Sequence, residues 1–151
     1  RLVPVNTAPS KETFSMPFRF SMLVGVAALC LSTLPAFAFT SWVGQRVYQL
    51  NEYVFEVVPK GRSRTNDYWC SASDYARRAL GAGWQDRVYI VRGYGPSQAT
   101  GRRTAVQFTI YPDAAGVTPL PPGGLRQGLK PGDSMTVSRG NSFCEPVPLT
   151  F

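Results

Sequence analysis

The sequence has 151 residues, of which 44% are hydrophobic and 17% are charged, and its net charge at pH 7 is +7. The length is typical of one domain, and the hydrophobic fraction is too high for a disordered chain. There is no histidine, which excludes Ser-His-Asp and Cys-His catalysis, His-ligated zinc or haem, and a histidine pH switch.

Residues 16–38 have the layout of a secretory signal peptide. Arg19 precedes an apolar run over residues 20–34, Pro35 interrupts that run, and Ala36-Phe37-Ala38 matches the small-x-small pattern of a cleavage site. An uncleaved membrane anchor is the alternative, because about 20 apolar residues can span a bilayer. The proline break and the cleavage pattern favour removal of the segment.

Cleavage after Ala38 would produce a mature chain of residues 39–151, with 13 basic and 8 acidic side chains. We expect this chain to be periplasmic or secreted and to keep no stable membrane span. Residues 1–15 precede Met16, and we expect them to lie outside the native protein.

The mature chain would hold two cysteines, Cys70 and Cys144. An oxidising compartment makes a disulfide the expected state of such a pair. A crosslink over a loop of this length stabilises a fold by about 4 kcal/mol. A reactive thiol at Cys70 is the alternative, but no histidine is present to act as its base.

The first predicted elements of the mature chain are a strand and a helix. Residues 45–58 are rich in β-branched and aromatic side chains and predict one strand, or two short strands bent near Asn51. Residues 71–80 predict a helix capped by Ser71 or Ser73. Trp69, beside Cys70, is expected to be a core residue, and Asp74 and Arg78 are predicted to form an exposed i,i+4 pair.

Three further strands are predicted. Residues 87–92 form a central strand, residues 104–111 form a strand that pairs with it across the loop 93–103, and residues 134–139 form the last strand. In residues 104–111, Gln107 and Thr109 are expected to face outward. The fold class is therefore α+β, with a single small antiparallel sheet of four to five strands, one helix packed on it and one disulfide.

Acidic residues give no catalytic or metal-binding pattern. Glu52 and Glu56 would lie about 13 Å apart on one strand face, which is too far for the paired carboxylates of a glycosidase. No run of oxygen ligands typical of a calcium loop occurs in the sequence. We expect neither a metal site nor a cofactor.

Arginine-rich loops provide the strongest candidate for a binding site. Arg92, Arg102 and Arg103 flank a glycine-containing loop, and Arg62 and Arg64 lie in a second basic loop. Arginine favours bidentate contact with phosphate, sulfate or carboxylate groups. The first loop is neither a P-loop nor a dinucleotide-binding fingerprint, because it lacks the required lysine and no helix is predicted to follow it.

Several stretches resemble a group of small exported alphaproteobacterial proteins of uncharacterised function. The resemblance rests on residues 67–76, 79–82, 87–97 and 105–109 and covers most of the mature chain. It implies export and a small disulfide-bonded domain. It implies no catalytic or binding residues.

The leading hypothesis is an exported, non-enzymatic domain that binds an anionic envelope polymer or an acidic protein through its arginine-rich loops. Export makes nucleic acid a disfavoured partner, and oligomeric state is left open. The alternative is a structural envelope component whose Pro-rich segment 118–124 contacts a protein. The third hypothesis is a hydrolase that works without histidine.

Overall fold

The described part of the chain contains six strands and two helices. The computed structural model describes residues 37–121 and 128–145. The elements are, in chain order, β1 (Phe39–Thr40), β2 (Arg46–Gln49), β3 (Phe55–Val58), α1 (Thr65–Arg78), β4 (Arg87–Gly95), β5 (Ala105–Thr109), β6 (Ser134–Thr136) and α2 (Val137–Ser142).

The strands form one antiparallel sheet in the order β1-β2-β3-β5-β4-β6. The α+β class is thus confirmed. The predicted count of four to five strands and one helix is wrong, because β1 has two residues, too few to show a strand pattern in the sequence, and α2 was predicted as strand. The predicted upstream segment 1–15 and residues 16–36 of the predicted signal peptide 16–38 lie outside the described residues.

Helix α1 begins six residues earlier than its serines predict. The Asp67 carboxylate accepts a hydrogen bond from the backbone N of Arg64 at 2.8 Å, which closes the first turn. Ser71 and Ser73 are therefore not caps but buried residues within the helix. Ser71 Oγ donates to Gln45 Oε1 at 2.7 Å, so the buried hydroxyl has a hydrogen-bond partner.

The predicted last strand, 134–139, ends after three residues. Thr136 is the N-cap of α2, and its side-chain oxygen accepts from the backbone N of Arg139 at 3.4 Å. A threonine favours both a strand and a helix cap, and here the cap converts residues 137–139 to helix. Met135 and Val137 are nonetheless both buried, as the strand pattern required.

The core lies between α1 and one face of the sheet. Trp69 is 1% exposed and packs edge-on against Phe108, with ring centroids 5.5 Å apart. Tyr75 packs against Phe55 at 4.8 Å. The predicted core role of Trp69 is confirmed. The other face of β5 is also buried, so the prediction that Gln107 and Thr109 face solvent is wrong.

A disulfide joins Cys70 to Cys144 and confirms the predicted crosslink. Cys70 lies in the middle of α1 and is completely buried, so the alternative of a free reactive thiol is wrong. Cys144 lies just beyond Phe143, the C-cap of α2, and the bond therefore connects α1 to the end of α2 rather than the start of a helix to a strand. No helix within residues 37–121 and 128–145 is long and apolar enough to cross a membrane.

The two helices approach closely at Gly140. A Cβ atom built at this position would overlap the side chain of Ser73 and lie 3.0 Å from the carbonyl oxygen of Trp69. The backbone of α1 cannot move away without disturbing Trp69 in the core. A side chain at position 140 is therefore incompatible with the observed helix pair.

We expect Gly140→Ala to lower the free energy of unfolding by about 1–3 kcal/mol, because it overpacks the helix contact. Gly61→Ala is the matched control, since a Cβ at Gly61 meets no atom within 4 Å. It should change stability by less than about 0.5 kcal/mol. Urea unfolding followed by circular dichroism measures both, and equal stability of the two variants would contradict the close packing.

Reduction of the disulfide is expected to lower the free energy of unfolding by about 4 kcal/mol, since the crosslinked residues are 74 positions apart. The measurement is urea unfolding with and without reductant. Intact mass under non-reducing conditions provides the control by showing the loss of both thiol hydrogens. Free thiols at Cys70 and Cys144 in folded protein would contradict the crosslink.

Candidate functional site

A buried carboxylate organises the face of the sheet opposite α1. Glu56 on β3 has no solvent exposure. Its Oε1 accepts from Ser97 Oγ at 2.5 Å and from Ala99 N at 3.3 Å. Its Oε2 accepts from Gln98 N at 3.1 Å and from Gln107 Nε2 at 3.1 Å. The carboxylate thus attaches the β4–β5 loop to the sheet.

Arg92 completes this network. Its Nη2 lies 3.4 Å from Glu56 Oε2 and donates to the carbonyl of Pro96 at 2.7 Å. The position of Arg92 follows from an irregularity in the β4–β5 ladder, where Arg92 lies opposite Gln107 and the register shifts on either side. A bulge commonly redirects a side chain in this way.

The environment of Glu56 stabilises its charged form. Burial raises the pKa of this carboxyl, but the hydrogen bonds from Ser97, Gln98, Gln107 and Ala99 outweigh burial and hold its pKa below the ordinary value. Glu56 is therefore ionised at neutral pH, and its charge is compensated inside the protein.

The loop attached by Glu56 is tightly closed. Ser97 N donates to the carbonyl of Arg102 at 2.6 Å, and Gly101 N donates to the carbonyl of Ser97 at 3.0 Å. Gly101 has a φ of 72°, a conformation that glycine adopts without strain. Ser97 Oγ also accepts from Thr100 N at 2.9 Å. These bonds fix the positions of Thr100 and Arg102.

Thr100 and Arg102 form one wall of a cleft of about 530 Å³, which we call the basic cleft. Three cationic side chains line it and no acidic one does. Its lining residues are Thr40, Gly44, Arg46, Tyr48, Val58, Pro59, Lys60, Thr100 and Arg102.

Sheet register brings the three cations together. Arg46 on β2 pairs with Val58 on β3, so it lies beside the segment that continues into Lys60. Arg102 reaches the same segment, where its Nη1 donates to the carbonyls of Pro59 at 2.8 Å and Lys60 at 3.3 Å. None of the three forms an ion pair with a carboxylate among the described residues. Their positive charges therefore face the cleft uncompensated.

Of the five arginines predicted from the sequence, only Arg102 lines the basic cleft. Arg92 is engaged by Glu56 and Pro96 and has a structural role. Arg103 and Arg62 are exposed, outside the cleft lining. Arg64 is exposed at the start of α1, where its guanidinium lies 3.8 Å from Asp67.

Sequence reasoning missed Arg46 and Lys60 as site residues. Arg46 lies in a segment predicted as strand, where a lone arginine is ordinarily a solvated side chain. The available signal was the bend predicted near Asn51, which is confirmed by the β2–β3 hairpin. At the end of the hairpin away from its turn, Arg46 pairs with Val58 and is therefore close to Lys60.

Two other clefts each have an acidic residue in their lining. One, of about 500 Å³, includes Asp86 and Arg87 in its lining, and one of about 360 Å³ includes Glu52. Within the described ranges, no group of three or more His, Cys, Asp or Glu residues is placed to bind a metal ion. The Pro-rich segment 118–124 is described only as far as residue 121, so its role as a partner site stays a prediction.

Comparison with known proteins gives no match to a family model, a curated protein or a solved structure.

We expect Glu56→Gln to lower the free energy of unfolding by about 2–3 kcal/mol at neutral pH, because an amide cannot accept from every donor around it. Since the folded pKa of Glu56 is lowered, its stabilising contribution is present above the unfolded pKa and is lost as pH falls through the folded value. The difference between wild type and variant should therefore shrink in acid.

Glu52→Gln is the matched control, because Glu52 is exposed in the β2–β3 turn and its substitution removes the same charge. It should leave stability within about 0.5 kcal/mol of wild type. Urea unfolding at a series of pH values makes the comparison. A Glu56→Gln variant with wild-type stability at neutral pH would show that the network does not hold the loop.

Proposed function

We infer that this protein is an exported, non-enzymatic domain that binds a multivalent anionic partner through the basic cleft. The observation that carries this function is the convergence of Arg46, Lys60 and Arg102 on one concave surface with no carboxylate in its lining. Uncompensated cations in a cleft concentrate anions there.

The residue types suit oxyanion ligands. Arg46 and Arg102 can each form paired hydrogen bonds with a phosphate, sulfate or carboxylate group, and Lys60 adds a point charge. The lining also includes the hydroxyl-bearing Thr40 and Thr100. An anionic envelope polymer or an acidic protein carries such groups in series, which matches several cations spread along one cleft.

Three observations support export. Strand β1 begins at Phe39, directly after the predicted cleavage position. Phe37 is 87% exposed, so removing it would cost little packing. The Cys70–Cys144 disulfide is typical of proteins that fold in an oxidising compartment.

The test is retention on heparin and on phosphocellulose. The double variant Arg46→Gln, Lys60→Gln should bind about tenfold more weakly and elute at lower salt, because two charge-assisted contacts are lost. Wild-type retention should also fall steeply as added salt screens the charges.

The matched control is Arg77→Gln, Lys130→Gln, which removes the same charges at positions outside the cleft lining. It should elute close to wild type. Equal weakening by both double variants would mean that net charge alone drives retention. Unchanged retention of the Arg46, Lys60 variant would rule out the cleft.

A further inference from the structure

Two apolar side chains project from the turn between β1 and β2. Trp42 is 74% exposed and Val43 is 37% exposed; we call this pair the apolar tip. Turns ordinarily favour Gly, Asn, Asp or Ser, and a tryptophan left mostly in water adds little to folding. Tryptophan is enriched at protein interfaces and at membrane boundaries, because its large ring is apolar and its indole N–H is polar.

The turn that carries the apolar tip is held rigidly. Ser41 N donates to the carbonyl of Gln45 at 2.9 Å, and Gly44 N donates to the carbonyl of Ser41 at 2.8 Å. Gly44 has a φ of 78°, which allows the tight reversal. Ser41 Oγ is buried against Ser71 of α1 at 2.8 Å.

An ion pair that is buried at its acidic end supports the turn of the apolar tip. Trp42 N donates to Asp74 Oδ2 at 3.0 Å, and Asp74 accepts two hydrogen bonds of 2.5 Å from Arg78. The Asp74–Arg78 pair was predicted to be exposed. That prediction is wrong for Asp74, which is 1% exposed. The Arg78 guanidinium lies over the rings of Phe39 and Trp42, at 4.5 and 5.8 Å from their centroids.

The apolar tip adjoins the basic cleft. Thr40 and Gly44, on either side of the tip in the chain, both line the cleft. One edge of the sheet thus carries the exposed tryptophan, and the residues that flank the tip form part of the lining of the basic cleft. An anionic bilayer surface presents the complementary arrangement, with phosphate groups above an apolar interior, and tryptophan is favoured at that boundary.

We propose that the apolar tip and the basic cleft dock together on an anionic phospholipid surface. Trp42 and Val43 enter the headgroup boundary, and Arg46, Lys60 and Arg102 contact lipid phosphates. The proposal rests on the function proposed above, because the cleft supplies its electrostatic part. A soluble polyanion would need the cations alone, and the exposed tip is what favours a bilayer.

The experiment is co-sedimentation with vesicles of phosphatidylcholine alone and with vesicles that also contain phosphatidylglycerol. Protein recovered from an exporting host is used throughout, so a retained amino-terminal segment would contribute equally to every variant. Wild type should bind the anionic vesicles preferentially. Trp42→Ser, Val43→Ser should weaken that binding about tenfold while retention on heparin stays unchanged.

Trp84→Ser is the matched control, since Trp84 is the other strongly exposed tryptophan of the described residues, at 46%, and stacks on Arg77. It should bind vesicles like wild type. Brominated lipids should quench the fluorescence of wild type and of the Trp84 variant, but not that of the Trp42, Val43 variant.

Three results would overturn the bilayer proposal. The first is unchanged vesicle binding by the Trp42, Val43 variant. The second is an equal loss of heparin retention in that variant, which would assign the tip to a polymer site. The third is full competition by soluble glycerol phosphate, which would indicate a free phosphate ligand. In each case the proposed function stands as long as Arg46→Gln, Lys60→Gln still loses heparin retention.

Discussion

The Glu56 carboxylate is fully removed from water, so its charge has to be stabilised by donors within the protein. Four of these donors belong to β5 and to the loop that precedes it, and the fifth is the guanidinium of Arg92 on β4. A buried charge is costly unless every lone pair finds a partner. The β4–β5 loop therefore has to lie over Glu56, and from that position it contributes Thr100 and Arg102 to the basic cleft.

The buried carboxylates also determine which cationic side chains have an acidic partner and which are free to bind an anion. The charge of Glu56 is compensated internally by Arg92, and that of Asp74 by Arg78. Arg46, Lys60 and Arg102 have no such acidic partner within the described residues. The domain thus separates its charges, with structural ion pairs on one set of residues and an uncompensated positive surface on another. Net charge alone would not have distinguished these two sets.

Local pattern was sufficient to predict most strands and the disulfide. The alternation in residues 104–111 and the β-branched residues before Pro59 specify strands because side chains on a strand alternate between two faces. Helix boundaries were harder, since Ser71 and Ser73 are acceptable caps in sequence, whereas the observed helix begins at Thr65 and has Asp67 in its first turn. Trp69 and Cys70 have to be inside the helix for both to reach the core.

The binding cleft could be predicted only in part because its residues meet through long-range pairing. Glu56 finds its loop donors more than 40 positions away, and nothing local to Glu56 or Arg92 indicates that they pair. Arg46 lies close to Lys60 because of the register between β2 and β3. That register depends on the length of the connecting turn, which the sequence does not specify. The sequence identified arginine as the residue type that would bind a ligand. Which arginines are structural and which are free to bind depends on the position of Glu56.

The position of the disulfide has a consequence for how the crosslink closes. Cys144 is synthesised after all the described strands and both helices, whereas its partner Cys70 becomes completely buried within the core. Once α1 has packed on the sheet and α2 on α1, an oxidant has access to the pair at Cys144, which is only half-buried, and not at Cys70. Closure in the packed domain therefore passes through a mixed disulfide at Cys144, from which the Cys70 thiolate displaces the oxidant's thiol as the leaving group.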